Sequence, residues 1–382
     1  MYINTMHLAV DSLHKSFDEE NVLKNISFEL EEGEFCILLG PSGCGKSTLL
    51  RCIAGLHEFE QGKVYLRGEE TGDTRIEDRD LGYVFQGFEE TLFPHMSVEG
   101  NIKFGLKQQD EEYSETEMQE TIDEVLEVLS IKQTKDSEPT SLSGGQQQRV
   151  ELARQLVREE DIILLDDPLG DLDYKLQKYM EIELRRYQRD LNSTFLYTTH
   201  DQDQALKLAE KIIVMNEGEI EQIGTPEEIY NSPANAFVHQ FIGDSNTWEG
   251  TVEQVDSSLL VAQTDIGQVS ASLSDTDPVV GDTVTLVIRP EDIVVGNNMN
   301  DLANSKQGEV SGLTFTGEET ELSIKLTNFS EIVRAKVPES LPSSLVGNSI
   351  EIGWETKHMI AYGPDNLSKV GSVDPNSVQA AN

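Results

Sequence analysis

The sequence has few cysteines, few basic side chains and no long apolar run, and each shortage excludes something. Only Cys36, Cys44 and Cys52 occur in 382 residues, close together and with no C-x-x-C pair. That excludes a disulfide scaffold and a zinc-type site, and it suits a reducing cytoplasm. No apolar run approaches the roughly 20 residues of a membrane span, and Met1 to His7 lacks the basic and apolar regions of a signal peptide. Any membrane role is therefore expected to be peripheral. Lys plus Arg number 29 against 70 Asp plus Glu, a formal net charge of -41 with a pI near 4.3. Such a chain repels phosphate backbones, so nucleic acid is excluded as a partner and an acidic substrate is disfavoured. The acidity is spread along the chain, as on the solvated surface of a salt-adapted, halophilic protein whose self-repulsion is screened only in concentrated salt.

What is present is organised around Gly40-Pro41-Ser42-Gly43-Cys44-Gly45-Lys46-Ser47-Thr48. The apolar run Phe35 to Leu39 before it reads as a buried strand, and Leu49 to Ala54 after it has helical spacing. Strand, glycine-rich loop and helix in this order let backbone N–H groups and a helix N-terminus converge on phosphate oxygens. Lys46 supplies a point charge for the β- and γ-phosphates, and the Ser47 hydroxyl is placed to ligate Mg²⁺. Cys44 reads as a small loop residue, with an oxidation sensor as the sharper alternative. At 382 residues the chain exceeds one ordinary core, so two or three domains are expected.

Residues 6–39 read as a β-rich edge leading into the nucleotide strand, with Phe17 placed either to stack on a purine base or simply to pack. Leu81 to Phe85 reads as a strand with the amide of Gln86 at its C-terminal end, where α/β folds bind ligands. The loop after it holds an apolar cluster, Leu92-Phe93-Pro94-His95-Met96, that serves either as a docking surface or as loop packing. Ser114 and Glu117 form a capping box for an amphipathic helix up to Ile131. Ser143-Gly144-Gly145-Gln146 opens a second helix, again with backbone donors ready for an anion. Ile162 to Leu165 reads as a buried strand ending in Asp166 and Asp167: one carboxylate can hold Mg²⁺ through water while the other polarises the attacking water. Thr194 to Thr198 is a further strand, and His200 follows it on the presumed ligand side. A hairpin over 212–220 precedes a short helix capped by Thr225 and ending near Ala236. Past Ser245, short alternating strands at 283–288, 313–315, 321–326 and 350–354 predict a separate small β-barrel, and the tail from Pro364 is expected to be disordered.

In this order the motifs resemble the ATPase subunits of ABC transporters, especially importer subunits with a C-terminal TOBE-type domain such as those of the maltose, spermidine/putrescine, iron(III) and molybdate systems. The most specific element is Leu142-Ser143-Gly144-Gly145-Gln146 lying between the phosphate loop and Asp166. The resemblance implies an α/β P-loop NTPase of mixed β core with flanking helices and a helical subdomain, followed by a small OB-like TOBE barrel. It implies an ATP-binding domain at 1–242, with the helical subdomain at about 86–160, a β-domain at 245–363 and a tail at 364–382. Phe17 then corresponds to the aromatic that stacks on adenine, and Lys46 and Ser47 to the loop lysine and the Mg²⁺ ligand. Gln86 corresponds to the residue facing Mg²⁺ and the attacking water, and Asp166 to the carboxylate that ends the strand. Ser143 and Gly145 match the signature reaching the nucleotide of the opposite subunit, Asp173 the aspartate of the following loop, and His200 the switch histidine. Arg289-Pro290-Glu291-Asp292 looks like the TOBE motif. The cofactors implied are ATP and Mg²⁺. The partners implied are a second identical copy, integral membrane permeases and an extracellular solute-binding protein, with the chain on the cytoplasmic side of the membrane.

Two departures from the family stand out. The usual catalytic glutamate is Asp167 here, one methylene or about 1.5 Å shorter. The spacing from Gln86 to Pro94 is two residues longer than in sugar and polyamine relatives, in a loop that abuts the membrane subunit in the family. Two other readings of the residues are a soluble ABC-type ATPase uncoupled from transport and a regulatory module whose β-domain binds a small ligand.

Overall fold

The structure, a computed structural model, describes residues 6–18, 20–72, 74–86, 91–107, 113–170, 172–256, 258–274, 277–296, 299 and 301–363. The predicted disordered tail at 364–382 lies outside the described residues, as does 87–90 of the loop after Gln86. The chain divides into two compact units, Met1–Glu228 and Ile229–Asn382.

The first unit opens with β1 (Met6–Phe17), β2 (Glu20–Glu31), β3 (Phe35–Leu39), α1 (Lys46–Ile53), β4 (Gln61–Leu66), β5 (Glu69–Glu70) and β6 (Gly82–Val84). Three helices follow, α2 (Val98–Leu106), α3 (Glu115–Val128) and α4 (Gly144–Leu156). Then come β7 (Ile162–Asp166), α5 (Tyr174–Leu191), β8 (Thr194–Thr199), α6 (Gln202–Leu208), β9 (Lys211–Asn216) and β10 (Glu219–Gly224). Strands β2-β1-β4-β5 form one antiparallel sheet, in which Leu23, Ile26, Phe28 and Leu30 of β2 turn inward. A second sheet has the order β10-β9-β3-β8-β7-β6, and all its pairs from β9 to β6 are parallel. Every residue of β3, β7 and β8 is buried, the pattern expected of central parallel strands covered on both faces. The β8 strand lies between β3 and β7, pairing Leu39 with Thr199 and Asp166 with Thr198. The C-terminal ends of three strands therefore meet at one place.

The helices form where the sequence signals them. Ser114 accepts from the Glu117 N–H while the Glu117 carboxylate accepts from the Ser114 N–H, so two orphan donors at the start of α3 are satisfied. Met118, Ile122, Val125 and Leu126 make the buried stripe of that helix. Along α4 the buried apolar residues are Val150, Leu152, Ala153 and Leu156.

The short helix expected from Thr225 to near Ala236 ends at Asn231, and a separate helix starts at Ala236. The first, α7 (Pro226–Asn231), has Thr225 capping Glu228, and the second, α8 (Ala236–Phe241), is capped by the Asn235 side chain on the Val238 N–H. Pro233 between them has no N–H to donate and disfavours a helical residue before it.

The second unit continues with β11 (Asn246–Val255), β12 (Leu259–Thr264), β13 (Gly267–Leu273), β14 (Thr283–Ile288) and β15 (Val294–Gly296). The chain goes on through β16 (Asn304–Phe315), β17 (Thr320–Leu326), β18 (Ile332–Val337), β19 (Ser349–Trp354) and β20 (Ile360–Tyr362). Strands β11-β12-β13-β20-β14 close into a barrel, and β15-β19-β16-β17-β18 form a five-stranded sheet. One core serves both, with Trp248, Leu286 and Ala361 from the barrel packed with Val310, Ile324 and Trp354 from the sheet. Arg289 of the anticipated TOBE motif is buried, donating to the Ile242 and Tyr230 carbonyls with its guanidinium 3.7 Å from the Tyr230 ring centroid.

Candidate nucleotide site

The phosphate loop leaves β3 and enters α1 through Gly45, whose φ of +106° lies in the region that glycine alone occupies without strain. A side chain there would also strike Leu23 at 2.8 Å, so both backbone and space demand glycine. Lys46 lies folded onto its own loop, Nζ donating to the carbonyls of Gly40 (2.6 Å) and Pro41 (2.9 Å) and lying 3.8 Å from Cys44 Sγ. Cys44 is buried beside it, and burial raises its thiol above the ordinary value even though Lys46 opposes the rise.

Ser47 Oγ donates to Asp166 Oδ1 at 2.8 Å, and Thr198 Oγ1 donates to the same oxygen at 2.9 Å. The Tyr83 hydroxyl lies 3.5 Å from the other oxygen, Oδ2. Asp166 is almost wholly buried, and burial alone would penalise its charge, but these donors satisfy it. A serine hydroxyl and a carboxylate this close are hard oxygen donors of the kind that hold Mg²⁺ together with substrate phosphates and water.

Asp167 follows in a left-handed conformation, φ +46°, its N–H donating to Thr198 O (3.2 Å) and Thr198 Oγ1 (3.0 Å). That turn sends its side chain toward His200, whose Nδ1 lies 3.2 Å from Asp167 Oδ2. Burial lifts the Asp167 carboxyl above its ordinary value and adjacent Asp166 adds to the rise, while His200 and Lys46 oppose it.

Around this centre the structure brings together the phosphate loop, Ser47, Asp166, Asp167 and His200, all anticipated from the sequence. Gln86 lies just past the end of β6, exposed. Phe17, at the end of β1, exposes 42 % of its surface, with Lys15 Nζ 4.7 Å from its ring centroid and the His57 ring edge-on at 5.4 Å. Ser143, Gly144, Gly145 and Gln146 occupy the start of α4, where the Ser143 N–H donates to Gln146 Oε1 at 2.9 Å. Asp173 caps α5 by accepting from the Leu176 N–H. Thr198 was missed by sequence reasoning, although a hydroxyl in a fully buried strand two residues before His200 is a signal that could have found it.

Residues 23–170 match the ABC transporter family and residues 286–361 match the TOBE domain. A spermidine/putrescine import ATP-binding protein, PotA, from Thermobifida fusca is 39% identical over 359 residues, covering 92% of each chain. The chain belongs to the ABC importer ATPases that carry a TOBE domain. This ABC ATPase is 42% identical to the PotA protein of Aliivibrio fischeri over 75% of its own length and 76% of that protein. Among solved structures it resembles the dimeric bacterial ABC transporter cassette MJ0796, with a TM-score of 0.54 and 31% identity, over 57% of this chain and 98% of that one. The cassette cbiO1 from Clostridium perfringens, part of the ABC transporter complex cbiONQ, matches with a TM-score of 0.54 and 29% identity, over 60% of this chain and 92% of that one. The ABC ATPase thus binds and hydrolyses ATP and couples hydrolysis to import. None of its described helices is long and apolar enough to cross a membrane.

Proposed function

We propose that two copies of the ABC ATPase bind two ATP with Mg²⁺ on the cytoplasmic face of a cell membrane and drive the import of a polyamine. Its partners are integral membrane permeases, supplied with solute by an extracellular binding protein. The observation that supports the reading most is the convergence of Ser47, Asp166, Asp167 and His200 at the end of the phosphate loop. The cargo is inferred from the relatives, which are named for spermidine and putrescine. By sequence the nucleotide domain takes residues 1–242, with its helical subdomain at about 86–160, and the TOBE-type domain 245–363, whereas the compact units divide earlier and place residues from Ile229, with α8, in the second unit.

On binding nucleotide, Lys46 exchanges the Gly40 and Pro41 carbonyls for the β- and γ-phosphates, to which the N-terminus of α1 already points. Ser47 and Asp166, with Gln86, would hold Mg²⁺, which when bound would supply positive charge against the developing phosphate charge. Asp167 accepts the proton of the attacking water, and His200 fixes that carboxylate and faces the transferred phosphate. Phe17, 42 % exposed at the end of β1, stacks on the adenine. Ser143, Gly144, Gly145 and Gln146 of one copy, with Asp173, complete the nucleotide site of the other. Closure on ATP and reopening after hydrolysis move the permeases through the region from Gln86 to Met96. Beside it, a groove of about 810 Å³ combines the apolar Leu56, Leu81 and Phe85 with the charged Glu77, Asp80 and Glu160, a mostly polar lining for the contact.

The test is uptake of labelled putrescine and spermidine by the ATPase reconstituted in concentrated KCl with polyamine permease subunits. ATP-dependent uptake that disappears in Lys46→Ala is expected. Uptake of a sugar, iron(III) or an oxyanion in place of a polyamine overturns the cargo, and loss of ATP binding in the wild type overturns the whole reading.

A further inference from the structure

The segment from Thr91 to Ser97 carries the cluster Leu92-Phe93-Pro94-His95-Met96, in which Leu92 is buried, Phe93 and Met96 are half-buried and Pro94 and His95 are exposed, and two helices grip it from opposite ends. From α4, fully buried Glu151 accepts at Oε2 from both the Thr91 hydroxyl (3.0 Å) and Arg154 Nη2 (2.5 Å). Arg154 Nη1 donates to the Thr91 carbonyl at 2.7 Å, and its guanidinium lies 5.4 Å from the Phe93 ring centroid. From α2, Asn101 Oδ1 accepts from the Phe93 N–H at 2.8 Å while its Nδ2 donates to the carbonyls of Phe93 (3.1 Å) and Ser97 (3.0 Å). The two helices are themselves in backbone contact, since a Cβ on Gly105 of α2 would lie 2.5 Å from the Arg154 carbonyl of α4.

The segment, α2 and α4 are therefore joined into one connected body of contacts. The other end of that body is the start of α4, where Ser143 to Gly145 lie eight residues, or about 12 Å, before Glu151. A buried acid and base held this closely resist independent displacement, because separating them leaves a charge buried without its partner.

We propose that Glu151 and Arg154 are positioning residues for coupling: they hold the Thr91–Ser97 segment, which presents Pro94 and His95, to the helix whose first turn meets the second nucleotide, so that ATP occupancy at Ser143 is felt at Thr91–Ser97. The inference rests on the proposed nucleotide-sandwiching role of Ser143 and names the residues that transmit its movement. Neither side chain enters the nucleotide site, so binding and basal hydrolysis do not depend on them directly.

The test uses the full chain in concentrated KCl with Mg²⁺, with and without ATP, reading amide hydrogen exchange at 91–97 and 143–146 and ATP affinity in parallel. In the wild type ATP slows exchange in both segments by about tenfold, the weight of one to two hydrogen bonds. The double variant Glu151→Leu with Arg154→Met replaces the buried pair by apolar side chains of similar volume, a change that folded proteins often tolerate. It is expected to bind ATP within about twofold of the wild type, as a substitution distant from the site does. Its ATP response at 143–146 should persist while that at 91–97 is lost. Thr91→Val, which alters only the loop end of the grip, should weaken the 91–97 response by about threefold, a typical value for one neutral hydrogen bond. A full response at 91–97 in the double variant overturns the proposal, as does equal loss of response in both segments. A wild type that binds ATP without change at 91–97 overturns it while leaving the nucleotide site intact; one that binds no ATP overturns the nucleotide site as well.

Discussion

His200 Nδ1 lies 3.2 Å from Asp167 Oδ2, so the carboxylate just past the end of β7 is turned toward the histidine just past the end of β8. The contact exists because Asp167 adopts a positive φ and ties its N–H to Thr198, which directs the short side chain across to β8. An aspartate held in this way reaches less far toward the phosphate than a glutamate at the same Cα. Misplacement by about 1 Å can cost on the order of 100-fold in rate.

Asp167→Glu is therefore expected to raise ATP turnover by up to about 100-fold. Asp167→Asn, which removes the proton acceptor, should lower it by about 100-fold or more. Steady-state ATPase rates at saturating Mg-ATP decide the matter, and equal rates for wild type and Asp167→Glu reject the argument.

Lys46 donates to two loop carbonyls that it must leave when phosphate arrives. Lys46→Ala frees those carbonyls to water and removes a charged donor from the nucleotide. It should weaken ATP binding by about 10- to 100-fold, the worth of a charge-assisted hydrogen bond, with little effect on thermal unfolding. Nucleotide titration and a melting curve on the same sample separate the two effects.

His239, buried beside Tyr362 with its Nδ1 3.0 Å from the phenol oxygen, has its pKa pushed down to about 3 by burial, with Arg289 adding to the effect. The unfolded chain, with an ordinary value near 6.5, then binds a proton that the folded one refuses. Stability is full above about pH 6.5 and is lost as pH falls from there toward 3, by at most about 1.4 kcal/mol per pH unit from this group. Denaturant melts at several pH values should show this slope in the wild type and a flatter one in His239→Gln.

The charge of -41 predicts self-repulsion that concentrated salt screens. Thermal stability should rise steeply between dilute buffer and multimolar KCl, with partial unfolding at the low end. A melting temperature indifferent to KCl would remove the basis for reading the surface as salt-adapted.

Much of this molecule was legible in its sequence because the signals are local. A buried strand, a glycine turn and a helix start are neighbours in the chain, so the phosphate loop, the strand ending in Asp166 and Asp167, and the capping boxes at Ser114 and Thr225 could be read by spacing alone. The sequence could not disclose that β8 lies between β3 and β7. That order is a matter of long-range pairing, and it brings Ser47 within 2.8 Å of Asp166, 119 residues away. Thr198, which holds both carboxylate residues at once, acquires its role only from that adjacency. Likewise Glu151 reads as one more polar residue on a helix until the fold buries it against Arg154 and Thr91. Among the described strands of the second unit, alternation points to such stretches as 283–288 and 321–326 but not to which strands pair, because short strands in a closed barrel and its companion sheet are stabilised by partners distant in the chain. Local chemistry was written in the order of the residues; which distant groups share a site was decided by burial and strand order in the folded chain.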